Sequence, residues 1–181
     1  MKITELLESV DTGNPIVYVD MDGVLADLYN HAAEIHDVDH YNEMTPKEWE
    51  EFFRDSDAYH LFRDIQPFST ANKLLELVKH YASGYRILSS PLNFDRKGSM
   101  KGKSEWLKKH INVAPDKVIF EHDKYKYAVQ PNGTPNILID DYGVNTRAWD
   151  AAGGIAVKYQ ADEDTLGKVV TVLEKVFGKD K

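Results

Sequence analysis

Short runs of consecutive apolar residues alternate along the chain with longer stretches in which apolar positions recur every three or four residues. The runs are "PIVYVD" (15–20), "YRILSS" (85–90), "KVIF" (117–120), "NILID" (136–140) and "GIAVKY" (154–159). Each is short, nearly continuous in hydrophobicity and bounded by turn residues or acids, the pattern of strands buried on both faces of a parallel sheet. Between them, Leu74, Leu77, Val78 and Tyr81 form one helical stripe closed by Gly84. Leu166, Val169, Val170, Leu173, Val176 and Phe177 form another. The opening "MKITELLESV" reads as an amphipathic helix. This alternation predicts an α/β fold, a doubly wound parallel sheet, in which ligands bind at the carboxyl ends of the strands.

One interval breaks the rhythm. Residues 28–84 separate the first two strands by more than a crossover helix requires. Within them, "TPKEWEEFF" has Thr45 placed as N-cap, Pro46 at the first helical position and Glu48 completing a capping box. Trp49, Phe52 and Phe53 share a face of that helix. The pattern predicts a small helical cap over residues 28–68, inserted into a core formed by residues 1–27 and 69–181.

Composition narrows the function. The 181 residues include no cysteine, which excludes disulfides and thiolate zinc sites and suits a reducing, cytoplasmic location. No segment has the character of a signal peptide or reaches membrane-spanning length. The formal net charge of −8 argues against stable binding of duplex nucleic acid, which demands a basic face. A small anionic substrate needs only one local basic pocket and stays open.

The chemistry gathers at the strand ends. The first strand runs into Asp20-Met21-Asp22-Gly23, the second into Ser89-Ser90-Pro91 and the fourth into Asp140-Asp141, while "EHDKYKY" after the third carries Lys124 and Lys126. In one sheet these would place four carboxylates, two hydroxyls and a lysine around a single crevice. So much like charge calls for a cation, and hard oxygen donors suit Mg²⁺. Carboxylates that share Mg²⁺ with a phosphate are a common phosphoryl-transfer arrangement. "DRKGSMKGKSEWLKKH" (95–110) offers Arg96, Lys97, Lys101 and Lys103 ahead of its helix, with Lys103 the best candidate to gather phosphate at the pocket mouth. His36 and His40, four apart in "HAAEIHDVDH", read as a helix face rather than as a second metal site.

Taken in order, "DMDGVLAD" (20–27), "ILSSP" (87–91), a lysine at 124–126 and "LIDDYG" (138–143) resemble the four motifs of the haloacid dehalogenase (HAD) superfamily of phosphohydrolases, most closely its 5′(3′)-deoxyribonucleotidase branch. The resemblance implies that Asp20 attacks phosphorus to form an aspartyl-phosphate and that Asp22 acts as general acid, then base. It implies that Ser89, assisted by Ser90, binds the phosphoryl oxygens and that Lys124, or Lys126, neutralises Asp20 and the phosphoryl charge. Asp140 would bind Mg²⁺ directly, with Asp20 and the backbone carbonyl of Asp22, and Asp141 would act in an outer shell. Cap aromatics stack the base in that branch, which makes Trp49, Phe52 and Phe53 candidates, along with Tyr59 and Phe62; Leu28 stands where an aromatic is often found. The implied substrate is a small phosphomonoester, foremost a nucleoside monophosphate. Another metabolite phosphate, an oligonucleotide 3′-phosphate, and a non-catalytic binding module on the same scaffold remain as rivals.

Overall fold

A strand of three wholly buried residues, β1 (Val17–Val19), lies at the centre of the sheet. It pairs in parallel with β2 (Tyr85–Ser89) on one side and β4 (Ile137–Asp140) on the other. β3 (Val118–Phe120) flanks β2 and β5 (Ile155–Lys158) flanks β4, giving the order β3-β2-β1-β4-β5. The structure is a computed structural model that describes residues 13–178; the helix expected over residues 1–10 lies outside them. All five expected strands are present, because apolar runs of this length have no polar face to give to water and are best satisfied inside a covered sheet.

Alternate residues of β1 serve opposite faces, as the pleat requires. Val17 and Val19 join the larger core, while Tyr18 packs with Leu88, Leu138 and Trp149 on the other side. Among the described residues seven α-helices accompany the sheet: α1 (Leu28–Ile35), α2 (Pro46–Asp55), α3 (Ala58–Asp64), α4 (Ala71–Tyr81), α5 (Arg96–Trp106), α6 (Gly143–Ala151) and α7 (Gly167–Phe177). In α4 the buried stripe is Ala71, Leu74, Leu75 and Val78, so Leu75 takes the place expected of Leu77.

The first three helices fill the long interval after β1. The chain leaves and re-enters the core through adjoining segments: Ala26 pairs antiparallel with Pro67, Asp27 N donates to Gln66 O at 2.9 Å and Phe68 N to Leu25 O at 2.9 Å. The Thr45–Glu48 capping box is formed in both directions at the start of α2. His36 and His40 do not share a helix. α1 stops at Ile35, and Asp37 adopts a left-handed conformation with φ 53°.

The segment expected as a basic loop before a helix is itself helical from Arg96. Asp95 caps it by accepting from Gly98 N at 2.9 Å. Its glycines are helix-weakening in isolation, but Gly102 has a packing reason: a Cβ there would lie 2.4 Å from the backbone oxygen of Tyr59 in α3. Close contact between α3 and α5 therefore depends on this glycine. Gly102→Ala is expected to destabilise the fold by about 1–3 kcal/mol through overpacking. A wild-type urea midpoint for this variant would show that the helices part without cost.

Candidate active site

Parallel register assembles the site. Val19 aligns with Ile87 and with Ile139, so the next residue, Asp20, emerges beside the ends of both neighbouring strands. Asp20 N donates to Ile139 O at 2.9 Å, fixing the strand end against β4. The chain then turns sharply: Leu25 N and Ala26 N both donate to Met21 O at 2.8 Å, and Gly23 takes φ 75°. That conformation costs a glycine little. A Cβ on Gly23 would also stand 2.7 Å from both the Asp141 carboxylate and the Tyr29 ring.

Two buried lysines divide the acids between them. Lys124, 2% exposed, reaches Asp20 Oδ1 at 2.8 Å and Asp140 Oδ2 at 2.7 Å. Burial works against its ammonium, but the two carboxylates outweigh that effect and hold its pKa above the ordinary lysine value. Lys126, two residues on, is exposed and pairs with Asp123 at 3.0 Å and Glu121 at 3.5 Å, away from the site. Lys103 donates to Asp22 Oδ2 at 2.5 Å, Ser89 Oγ at 2.9 Å and Ser90 O at 2.7 Å. It is 1% exposed, so it lies at the floor of the site rather than at its mouth. Its Nζ also sits 4.4 Å from the Phe62 ring centroid. Arg96, Lys97 and Lys101 occupy the same helix.

The paired acids after β4 are held differently. Both Asp140 oxygens are engaged: Tyr142 N donates to Oδ1 at 2.8 Å, and Oδ2 accepts from Lys124 and, at 3.1 Å, from Asn145 Nδ2. Asp141 accepts from the Tyr29 hydroxyl through Oδ2 at 2.7 Å, while its Oδ1 is buried with no hydrogen-bond partner among the described residues. Burial, reinforced by Asp20, pushes Asp140 up to about 6. Burial and then the charges of Asp20 and Asp140 push Asp141 up to about 8. Asp22 is raised too, chiefly by burial, with Lys103 opposing.

Asp20, Asp140 and Asp141 each present an oxygen within 4.8 Å of the others. When all four acids are ionised, the two lysines leave two negative charges uncompensated. Unpartnered hard oxygens and a deficit of positive charge fit a divalent cation such as Mg²⁺. Asp141 keeps an oxygen free of hydrogen bonds, whereas both oxygens of Asp140 are engaged.

A cavity of about 640 Å³ opens over this floor. Asp20, Asp22, Ser90, Lys103, Lys124 and Asp141 line its base, and Leu28, Tyr29, Trp49, Phe53, Phe62 and Leu92 its apolar wall. Trp49 and Phe53 stack with centroids 5.9 Å apart. Phe52 instead turns into the core, 3% exposed, and Ser89 is fully buried beneath Lys103. Tyr59 bonds Glu105 through its hydroxyl at 2.7 Å, outside the cavity. Three groups escaped sequence reasoning. Leu92 and Asn145 carry no motif signal, and Tyr29 stands two residues after "DGVLAD", directly beyond Leu28.

The strand order is 3-2-1-4-5, with an Asp-x-Asp turn after the central strand. The fold is similar to that of a HAD family hydrolase from Deinococcus radiodurans R1, whose structure holds phosphate and sodium (TM-score 0.51, 13% identity, 90% of this chain and 89% of that one). It is also similar to a hydrolase from Streptococcus pneumoniae TIGR4 (TM-score 0.52, 14% identity, 90% of this chain and 100% of that one). No curated protein matches the chain. The family model of the 5′ nucleotidase, deoxy (pyrimidine), cytosolic type C protein (NT5C) matches residues 14–169, and the chain belongs to that family. It is an enzyme of the phosphatase class.

Proposed function

We propose that the protein is a Mg²⁺-dependent 5′(3′)-deoxyribonucleotidase that works through an aspartyl-phosphate on Asp20. The observation that carries this reading is the meeting of Asp20 and Asp22 with two buried lysines and the Asp140–Asp141 pair under one apolar-walled cavity. An Asp20 oxygen attacks phosphorus as the ester P–O bond breaks, and Asp22 gives its proton to the leaving oxygen. Its raised pKa, caused by burial, supports a protonated starting state. Water then attacks the same phosphorus, Asp22 takes its proton, and phosphate leaves with Asp20 restored. Lys124 fixes the attacking carboxylate and stabilises the charge that develops on the phosphoryl oxygens. Ser90 and Lys103, which reach the cavity, are the further phosphate contacts; Ser89 acts behind them by holding Lys103.

Asp20, Asp141 and the backbone carbonyl of Asp22 would hold the cation, with Asp140 tying Lys124 and Asn145 to the cluster. Mg²⁺ bound there would supply Lewis-acid polarisation of the phosphoryl group and neutralise charge. Residues 28–68 act as the cap, and Trp49, Phe53, Phe62 and Leu28 form the base pocket. The family's cytosolic designation and the absence of cysteine support a cytoplasmic location. Among the described residues no helix is long and apolar enough to cross a membrane.

The test is phosphate release from dUMP, dTMP, 3′-nucleotides, sugar phosphates and a 3′-phosphorylated oligonucleotide, each with EDTA and with Mg²⁺. Preference for deoxynucleotides, silence in EDTA and recovery with Mg²⁺ are expected. A flat profile would return the cap aromatics to packing, and turnover in chelator would remove the metal. No release from any ester would favour the binding module.

A further inference from the structure

One polar group in the cavity has no part in the chemistry above. The Tyr29 hydroxyl belongs to α1, the first inserted helix, yet its acceptor is Asp141 at the end of a core strand. The 2.7 Å separation is that of a well-formed O–H···O hydrogen bond. Its effect is on the other oxygen. With Oδ2 engaged, Asp141 Oδ1 is left buried and without a hydrogen-bond partner among the described residues, and an oxygen of Asp141 lies within 4.8 Å of oxygens of Asp20 and Asp140.

Asp140 shows what the alternative looks like. That carboxylate is held by core groups alone, namely Lys124, Asn145 and the Tyr142 backbone. Asp141 takes its side-chain hydrogen bond from the insertion instead. The placement of Tyr29 is tightly determined. Its ring meets Trp49 edge-on at 5.7 Å and Tyr41 at 5.4 Å, and the Gly23 turn leaves no room for a Cβ between it and Asp141. Trp49 is also a wall of the cavity. A continuous row of contacts therefore runs from the substrate wall, through Tyr29, to the carboxylate with the free oxygen.

We propose that Tyr29 is a positioning residue for the metal site: its hydroxyl aims Asp141 so that Oδ1 faces the cation. This rests on the assignment of Asp141 as a metal ligand made above. Partners that orient a metal's ligands typically govern affinity by 10- to 100-fold. Because the orienting group is carried by an inserted helix, metal affinity in this protein depends on how that helix is seated.

Tyr29→Phe keeps the ring and its packing and removes only the donor. Calorimetric titration of the substrate-free protein with Mg²⁺ is expected to show affinity weakened about 10- to 100-fold in Y29F. Tyr41→Phe is the control: it deletes a hydroxyl one ring away, whose bond is to Glu163 at 2.9 Å, and should leave Mg²⁺ affinity unchanged. In turnover assays, the Mg²⁺ concentration giving half-maximal activity should rise in Y29F by the same factor. kcat at saturating Mg²⁺ should recover to within about threefold of wild type, since no interaction unique to the transition state is lost. Far-UV circular dichroism in EDTA verifies that both variants are folded. Wild-type affinity in Y29F, or an equal loss in Y41F, would overturn the proposal while leaving the nucleotidase reading intact. A wild-type protein that binds no Mg²⁺ would overturn the metal assignment and this proposal together.

Discussion

Asp20→Asn is expected to reduce kcat by about 10⁴-fold or more, the scale on which loss of a covalent nucleophile is felt. The amide has nearly the shape of the carboxylate but no charge to direct at phosphorus. The substitution should not unfold the protein. Its oxygen can still accept from Lys124, now 2.8 Å from Asp20 Oδ1, and Lys124 keeps Asp140 at 2.7 Å. Removing one of four clustered acids also relieves like-charge repulsion, so the thermal midpoint in EDTA should hold or rise. The informative comparison is kcat at saturating Mg²⁺ beside the melting curve in chelator. Wild-type turnover in a folded D20N would eliminate the covalent route and leave direct attack by water.

Local signals survived the passage from sequence to structure, and signals that depend on packing did not. The strand runs were legible because a buried parallel strand has to be apolar throughout, and the Thr45–Glu48 box because both partners lie within one helical turn. Asp20 and Asp22 were legible because two acids one residue apart at a strand end have few other uses. Depth was hidden. Lys103 looks like its neighbours Lys97 and Lys101, and only the approach of α5 to α3 over Gly102 turns it inward to Asp22. The division between Asp140 and Asp141 was hidden as well. Adjacent residues at a strand end point to opposite sides, and sequence does not say which side holds Asn145 and which Tyr29. Phe52 shares a helix face with Trp49 and Phe53 by spacing, yet sits at the edge of that face that meets the core.

Lys124 and Lys126 make the sharpest case, since spacing alone allowed either. A short 3₁₀ turn over Lys124–Tyr127 sends the first inward and the second to solvent. Lys124→Met is therefore expected to be costly twice over. It leaves Asp20 and Asp140 buried without their cation, and breaking a buried ion pair from one side costs about 3–5 kcal/mol. For a chain of this size that lowers the thermal midpoint by on the order of 10 °C. The same change removes the charge facing the phosphoryl oxygens, for a further loss of about 10²–10³-fold in kcat. Mg²⁺ should restore part of the stability by replacing positive charge in the cluster, but not the rate, because the cation cannot also stand where the ammonium held Asp20. Lys126→Met, by contrast, disturbs only exposed pairs with Glu121 and Asp123 and should leave both stability and activity near wild type. Unfolding curves and kcat for both variants, with and without Mg²⁺, decide the matter: full activity in K124M, or its loss in K126M, would transfer the role to the second lysine and require the turn to rearrange when substrate binds.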